Sequence, residues 1–393
     1  MSPRLLLVVV AAASLPAQRT LEYDRSVVSQ VRIDARDLGY PPDDVIPSGE
    51  SAVTAMAVSP KGVVYGATSG ARSHLFVVDP LHGYVQPLGV LKDANTVHGA
   101  LAIASNGDVY IGTSLPVDNG GTGYDTYAGG HLLRYRPPPD QAARPIQINV
   151  PCATEDLGFP AGHEGIYALS ADKKNNSVYG LTYPSGNFFR YDIADAKFTL
   201  LGRVAEHRIH GEKFERDRLI GRALVVSNGA VCTSGEDGAI FRYTPSAAAI
   251  EKLAITVPAD PGRTGYNRVE VWASDGGTLY GGSSDGYLFR FHPDSMTVEN
   301  LGKPLIQYRV NGLVLAHNGK FYGVGGDPDD MARLFSYDPK TGGYRIFGFI
   351  DVNHRPYFAW QAYRIGAMVI GADGTVYLGE SERKSRLYLY YPD

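Results

Sequence analysis

The sequence predicts an all-β protein, a single seven-bladed β-propeller built from four-stranded antiparallel blades. Three observations lead to this prediction: one order of strands and turns recurs seven times, each unit spans roughly forty to seventy residues, and the composition favours turns and strands. The chain of 393 residues contains 46 glycines, 25 prolines and 26 tyrosines. This usage disfavours a helical bundle, because glycine and proline are the poorest helix formers.

Each unit begins with two apolar segments that are joined by a tight turn. The turn residues are Lys61-Gly62, Asn106-Gly107, Asn175-Asn176, Asn228-Gly229, Gly276-Gly277, Asn318-Gly319 and Asp373-Gly374. Glycine and asparagine adopt positive φ at low cost, which the two-residue turn of a β-hairpin requires. The pattern therefore predicts a hairpin between the first and second strands of every blade.

The second strand of each unit carries Tyr-Gly or a close variant, and a third strand follows it. The second-strand motifs are Val64-Tyr65-Gly66, Val109-Tyr110-Ile111-Gly112, Val178-Tyr179-Gly180, Val231-Cys232, Leu279-Tyr280-Gly281, Phe321-Tyr322-Gly323 and Val376-Tyr377-Leu378-Gly379. The predicted third strands are 75–78, 132–135, 188–191, 240–243, 288–291, 334–337 and 387–390. A weaker fourth strand comes next, for example at 198–201 and 344–347, and completes the pattern of a propeller blade.

The closure of the ring depends on the last unit, which holds only three strands before Asp393. We expect the strand-like segment 27–34 to complete this blade, because it would hide an open sheet edge. A pair of β-sandwiches is the competing fold, but it does not account for seven similar units. We therefore expect one domain over residues 18–393.

The first 17 residues have the features of a secretory signal. Arg4 supplies a positive charge, and the apolar run at 5–13 is too short to span a bilayer. A buried first strand is the alternative. No later segment is long and apolar enough to cross a membrane. We therefore expect a secreted or periplasmic protein, present as a monomer.

The charge balance and the motifs exclude several functions. The chain has 37 Lys and Arg against 41 Asp and Glu, a net charge of −4, and no basic block of the kind that binds nucleic acid. It contains no Gly-rich phosphate loop, nucleophile elbow or zinc-protease motif. No set of candidate metal ligands has a fourth member at diagnostic spacing, so we expect no cofactor. A structural metal bound by His207 and His210, together with His163 or Cys152, is the alternative.

Charged residues gather just before the innermost strands, in loops that share one face of a propeller. Arginines stand there in four consecutive units, at Arg222, Arg268, Arg309 and Arg364, and Asn311 lies beside the third of them. Such a set predicts an anionic ligand, because arginine forms bidentate contacts with carboxylate or sulfate. The alternative is that each arginine pairs with an acid of a neighbouring blade and clamps the ring.

Histidines occupy the same predicted face in the second and third units. His98 precedes an innermost strand, His131 opens the third strand of the same blade, and Tyr183 follows in the next blade. Two imidazoles beside a phenol make a plausible set for acid–base chemistry near neutral pH. His163 either completes this site or orients it. Structural roles for single histidines are the alternative.

In these residues the chain resembles the seven-bladed propeller polysaccharide lyases, which cleave ulvan and related uronate polymers. The resemblance implies that His98 and His131 are the paired histidines, Tyr183 the tyrosine and Arg222, or its rival Arg218, the arginine that neutralises the carboxylate. It also implies β-elimination on an anionic polysaccharide. The base that removes the proton is then His98 or Tyr183, and Tyr183 or His131 protonates or hydrogen-bonds the leaving oxygen.

The remaining expectations concern substrate contacts and other functions. Tyr124, in the insertion at 115–128, is expected to stack on a sugar ring, and His163, Arg218, Arg268, Arg309, Asn311 and Arg364 are expected to bind substrate. One alternative is a non-catalytic exported propeller that binds an anionic glycan or a protein. The other is a glycosidase that depends on histidine.

Overall fold

The computed structural model describes residues 36–37, 46–79, 84–116, 122–139, 147–205, 220–263, 267–306, 308–326, 331–354, 358–382 and 385–392. Seven antiparallel sheets follow one another along the chain and form the blades of a propeller, which confirms the predicted fold class. The predicted signal at 1–17 and the predicted strand at 27–34 lie outside the described residues.

The blades are numbered here in chain order, and their strands run from the innermost to the outermost. Blade 1 contains Ala52–Val58, Val64–Ser69, His74–Asp79 and Tyr84–Val90; blade 2 contains Leu101–Ile103, Val109–Gly112, Leu132–Tyr135 and Thr154–Asp156; blade 3 contains Gly165–Asp172, Ser177–Tyr183, Asn187–Asp192 and Lys197–Arg203. Blade 4 contains Val225–Ser227, Ala230–Ser234, Ala239–Tyr243 and Glu251–Thr256; blade 5 contains Val269–Asp275, Thr278–Ser283, Leu288–His292 and Thr297–Gly302. Blade 6 contains Val310–Leu315, Phe321–Gly325, Arg333–Asp338 and Gly343–Phe349; blade 7 contains Ile365–Ile370, Val376–Glu380, Leu387–Tyr390 and the outer strand Arg36–Asp37.

The ring closes between the last blade and the first. The innermost strand Ile365–Ile370 of blade 7 packs against Ala52–Val58 of blade 1, and the outer edge of blade 7 is formed by Arg36–Asp37, which pairs antiparallel with Leu387–Tyr390. Two additions decorate the ring. Gln147–Pro151 pairs in parallel with the outer strand of blade 1, and Asp351–His354 forms a hairpin with Phe358–Gln361 between blades 6 and 7.

The tyrosine of the repeated Tyr-Gly motif joins neighbouring blades. In five of the seven junctions it packs against a tyrosine that is the last or the last but one residue of the third strand of the next blade. The pairs are Tyr65–Tyr135, Tyr110–Tyr191, Tyr179–Tyr243, Tyr280–Tyr337 and Tyr322–Tyr390, with ring centroids 6.3, 6.2, 5.7, 6.3 and 5.5 Å apart. Tilted aromatic pairs at this spacing stabilise beyond the area that they bury. In blade 4 the tyrosine is replaced by Cys232, which is buried beside Phe291 of blade 5.

The glycine of the same motif makes room for a phenylalanine within its own blade. Each of four glycines lies directly opposite a phenylalanine on the third strand, and an added Cβ would come 2.1–2.3 Å from the Cζ atom of the ring. The pairs are Gly66–Phe76, Gly180–Phe189, Gly281–Phe289 and Gly323–Phe335. In this motif the tyrosine therefore packs against the next blade, and the glycine leaves room for a phenylalanine ring of its own blade. The glycine lies inside the second strand and not in the turn.

We predict that Gly281→Ala destabilises the fold by about 1–3 kcal/mol, because the new methyl group overpacks the Phe289 ring. Thermal and urea unfolding measure the change. Gly162→Ala is the matched control, since Gly162 is exposed and an added Cβ would lie 3.9 Å from its nearest neighbour. Equal stabilities of the two variants would contradict the assigned role of Gly281.

Candidate functional site on the propeller axis

A cavity of about 560 Å³ lies on the propeller axis, where the innermost strands begin. Its volume is within the range of ordinary ligand sites, about 300–1,000 Å³. All seven blades contribute to its wall. The lining includes Thr54, Ser69, Asn95, Thr96, His98, Tyr167, Arg222, Glu270, Asn311, Arg364, Gly366 and Ser381.

An irregularity of the innermost strand supplies one lining residue from each of five blades. The pairing of the innermost with the second strand skips one residue near its start, as it does in a β-bulge. The skipped residues are Thr54, Tyr167, Glu270, Asn311 and Gly366, and every one of them lines the cavity. A bulge re-aims a side chain out of the regular alternation of a strand, which explains why these residues face the axis.

Blades 2 and 4 place His98 and Arg222 at the corresponding point. In blade 2 the pairing passes from Thr96–Ser114 to Leu101–Ile111, and His98 lies in the irregular stretch between these two pairs. In blade 4 the Gly221 amide donates to the Ser234 carbonyl, and regular pairing with the second strand begins only at Val225. Between them, the Arg222 amide donates to the Val269 carbonyl oxygen of blade 5 at 2.9 Å. Every blade therefore presents to the cavity the residue at this point near the start of its innermost strand.

Glu270 is a buried carboxylate that binds two arginines. Its Oε1 is 2.8 Å from Nε of Arg268, and its Oε2 is 3.4 Å from Nε of Arg222. Burial raises the pKa of this carboxyl, but the two guanidinium groups outweigh burial and lower the pKa from 4.5 to about 2. Glu270 is therefore ionised at neutral pH, and it offsets part of the positive charge of the cavity.

Tyr167 contacts the same two arginines. Its hydroxyl oxygen accepts hydrogen bonds from Nε of Arg222 at 3.1 Å and from Nη1 of Arg268 at 3.4 Å. Burial alone would raise the pKa of Tyr167, yet the positive charges of Arg222 and Arg268 prevail and lower it below 10. The arrangement stabilises a phenolate.

His98 lies against Tyr167, with ring centroids 5.0 Å apart in an edge-on arrangement. Its Nε2 is 3.2 Å from the Leu115 carbonyl oxygen, which only accepts, so Nε2 carries the proton and Nδ1 is the basic nitrogen. Burial, together with the charge of Arg222, lowers the pKa of His98 from 6.5 to about 3. The imidazole is therefore neutral at physiological pH.

Arg364 and Arg309 add to the positive charge on the same side. Burial and the like charges of Arg222 and Arg309 lower the pKa of Arg364 from 12.5. Arg309 has a left-handed backbone, with φ 65°, and its amide donates to the Ser284 carbonyl oxygen at 3.0 Å. A bound anion would reduce the repulsion between these positive charges, so this half of the cavity favours a negatively charged ligand.

The opposite half of the cavity is polar and uncharged. Blades 1 and 2 contribute Thr54, Ser69, Asn95 and Thr96 to its wall. The Thr54 and Ser69 hydroxyl oxygens lie 2.8 Å apart, and both are within hydrogen-bond distance of the Val97 carbonyl oxygen. Charge is thus divided across the axis, because the arginines in the described lining of the cavity come from blades 4 and 7 and none comes from blades 1 and 2.

The structure brings four of the predicted site residues into the cavity wall: His98, Arg222, Asn311 and Arg364. Two other predicted arginines, Arg268 and Arg309, lie outside the described lining. Arg268 is buried against Glu270, and the positive charge of Arg309 lowers the pKa values of Glu270 and Arg364. Arg218 lies outside the described residues, as do His207 and His210.

The other predicted residues lie elsewhere. His131 binds Asp156 through Nδ1 at 2.7 Å, next to the outermost strand of blade 2, and His163 is an exposed residue with φ 60°. Tyr183 and Tyr124 are buried behind Tyr167, where Tyr183 lies 5.5 Å from each of the other two rings. The Tyr124 hydroxyl donates to the Leu115 carbonyl oxygen that also contacts His98, so this ring supports the wall and is not exposed for stacking.

Sequence reasoning missed Tyr167 and Glu270, although a signal for both is present. In all seven units the cavity residue stands between an apolar residue or glycine and a small or branched one, as in Val97-His98-Gly99, Ile166-Tyr167-Ala168 and Val269-Glu270-Val271. Alignment of the units on this triplet separates Arg222, at the triplet centre, from Arg268, Arg309 and Arg364, which precede the centre by two residues.

No protein-family model and no curated protein matches the chain. Among solved structures, the WD40 β-propeller domain of Doa1 aligns with 13% identity and a TM-score of 0.52, over 86% of this chain and 93% of that chain. The structure of U3-55K aligns with 12% identity and a TM-score of 0.54, over 91% and 98%. The likeness is one of fold.

A third similar structure is the extracellular domain of the putative hybrid two-component system BT4673 from B. thetaiotaomicron. It aligns with 15% identity and a TM-score of 0.55 over 87% of this chain, which spans only 38% of that chain.

Two further observations concern the described residues alone. None of their helices is long and apolar enough to cross a membrane, and they contain no group of three or more His, Cys, Asp or Glu that could hold a metal ion.

We predict that Glu270→Gln destabilises the protein by about 3–5 kcal/mol at neutral pH, because Arg268 and Arg222 lose their buried counter-ion. The folded-state pKa of Glu270 is lowered, so its stabilisation is complete above the unfolded value of 4.5 and is lost as the pH falls toward about 2. The difference in free energy of unfolding between wild type and variant should shrink across this interval.

The matched control for this prediction is Glu251→Gln, which breaks the exposed pair between Glu251 and Arg242 on the outside of blade 4. Such surface pairs contribute about 0–1 kcal/mol. Urea unfolding at several pH values measures both variants. A loss for Glu270→Gln no larger than that for Glu251→Gln would contradict the buried counter-ion.

Proposed function

We propose that this protein binds an anionic polysaccharide in the axial cavity and cleaves it at uronate residues by β-elimination. One observation carries the proposal: the cavity joins Arg222 and Arg364 with an imidazole and a phenol, His98 and Tyr167, in one wall. The proposal includes the exported location expected from residues 1–17 and a monomeric chain.

The chemistry of β-elimination explains why this combination is useful. The proton on C5 of a uronate is weakly acidic, and its removal places negative charge on the adjacent carboxylate as the C4–C5 double bond forms. Preorganised cations at the carboxylate lower that barrier, and one such donor contributes roughly 3–4 kcal/mol. In the proposed complex Arg222 and Arg364 hold the carboxylate, and the uncharged wall of Thr54, Ser69 and Asn95 faces the sugar hydroxyls.

The resemblance to the propeller lyases supports part of this assignment. Of the four residues that it implies, His98 and Arg222 line the cavity. His131, bound to Asp156, and Tyr183, buried behind Tyr167, lie outside the described lining. The proposal therefore places the carboxylate at Arg222 and a neutral hydrogen-bonding imidazole at His98.

Anion binding without catalysis is the second candidate function. Its specific support is the state of His98, whose pKa of about 3 makes it a weak base, and the presence of Glu270 as an internal counter-ion. A binder would use the same arginines and would release no product.

We predict that the purified protein releases products with the absorbance of an unsaturated uronate from at least one of ulvan, alginate, glucuronan and hyaluronan. Arg222→Ala should lower the rate about 10²–10³-fold, because the charge that develops on the carboxylate loses its donor. Ultraviolet absorbance and mass spectrometry of the products measure both effects. Saturated products would indicate a glycosidase, and binding without products would indicate a binder; either result contradicts the lyase proposal.

We predict that Arg364→Ala weakens the binding of sodium glucuronate at least tenfold, because a charge-assisted hydrogen bond is lost. Isothermal titration calorimetry measures the affinity. Arg345→Ala is the control, since Arg345 is exposed on the outermost strand of blade 6 and stacks on Phe347. Equal affinities of the two variants for glucuronate would show that the anion does not bind at Arg364.

A further inference from the structure

We propose that Tyr167 is the proton-transfer residue of the axial cavity, a role that the sequence pattern assigned to other residues. This inference rests on the proposed function and names the group that carries out its chemical step. It stands on the position of the hydroxyl, which lies in the cavity wall between two guanidinium groups.

The contacts of the hydroxyl favour its deprotonated form. Nε of Arg222 donates to the phenol oxygen from blade 4, and Nη1 of Arg268 donates to it from blade 5. Two charged donors on one oxygen stabilise a phenolate more than a neutral phenol, and the direction of the pKa shift agrees. Arg268 is itself fixed by Glu270, so this donor is held in place before a substrate arrives.

The other groups in the described part of the cavity wall are poorly suited to move the proton. Glu270 is a weak base, since its pKa is about 2 and both of its oxygens bind arginines. His98 is neutral, with a pKa of about 3, and its Nε2 proton is bound to the Leu115 carbonyl. Arginine remains protonated at all relevant pH values. Among these groups, the phenolate of Tyr167 is the base best matched to the weakly acidic C5–H bond of a uronate.

The proposed step conserves protons and electrons. The Tyr167 phenolate takes the C5 proton, and the electron pair of the C–H bond forms the C4=C5 double bond. The bond between C4 and the glycosidic oxygen breaks, and its electron pair leaves on that oxygen. Tyr167 then donates the proton to the leaving oxygen and returns to the phenolate, so no co-reactant is consumed.

Charged and titratable groups surround Tyr167 from four blades. They are His98 and Tyr124 from blade 2, Tyr183 from its own blade, Arg222 from blade 4, and Arg268 and Glu270 from blade 5. The phenolate is the active form, so activity should rise with pH as Tyr167 loses its proton. Removal of a donor raises the pKa of the phenol and should move this rise to higher pH.

The test compares Tyr167→Phe with Tyr179→Phe, another buried tyrosine of blade 3, which packs between Phe188 and Tyr243 away from the cavity. On the polysaccharide that the wild-type protein cleaves fastest, Tyr167→Phe should lower kcat about 10²–10⁴-fold with little change in KM. Tyr179→Phe should keep the wild-type kcat. A Tyr167→Phe variant that keeps kcat within threefold of wild type overturns the inference.

A second variant retains the phenol and covers the case in which Tyr167→Phe does not fold. Arg268→Gln should shift the rise of kcat to higher pH, and an unchanged pH profile overturns the inference. Ultraviolet difference titration without substrate should reveal one phenol that ionises at lower pH in wild type than in Arg268→Gln. Its absence also overturns the inference. If wild type releases no unsaturated product, the proposed function fails, and this titration still decides the ionisation of Tyr167.

Discussion

The contact between neighbouring blades is the constraint on which the rest of the structure depends. A four-stranded blade cannot bury both of its faces alone, so it packs its second-strand tyrosine against the third strand of the next blade. Within the blade, the glycine beside that tyrosine admits a phenylalanine ring, as Gly281 does for Phe289. Because both contacts recur around the ring, the blades keep a regular spacing and the innermost strands meet around one axis.

The axial cavity follows from this closure. A bulge at the start of one innermost strand would expose a single side chain, but bulges or longer irregularities at the same place in seven strands bring six side chains and the glycine Gly366 to one wall. The ring thus converts a local backbone irregularity into a site. Its charge is uneven because blades 4, 5 and 7 contribute Arg222, Glu270 and Arg364, whereas blades 1 and 2 contribute hydroxyl and amide groups.

The fold was predictable in detail because it rests on local patterns. Hairpin turns such as Asn318-Gly319 and motifs such as Phe321-Tyr322-Gly323 are written in consecutive residues, and the structure forms them as strands of one blade. The site was predictable only in part. His98, Arg222, Asn311 and Arg364 were found from their place before the innermost strands, whereas Tyr167 was missed, because a tyrosine inside a strand has the appearance of a core residue.

The sequence by itself determined the number of blades, the order of their strands and the loops that carry charge, since hydrophobic alternation and turn chemistry act over a few residues. Only the tertiary structure decided which side chains meet at the axis. His131 and His98 lie in one blade, yet His131 turns outward to Asp156 while His98 joins Tyr167 of the next blade. Such contacts depend on the register of each innermost strand and on ring closure, which joins residues far apart in the chain.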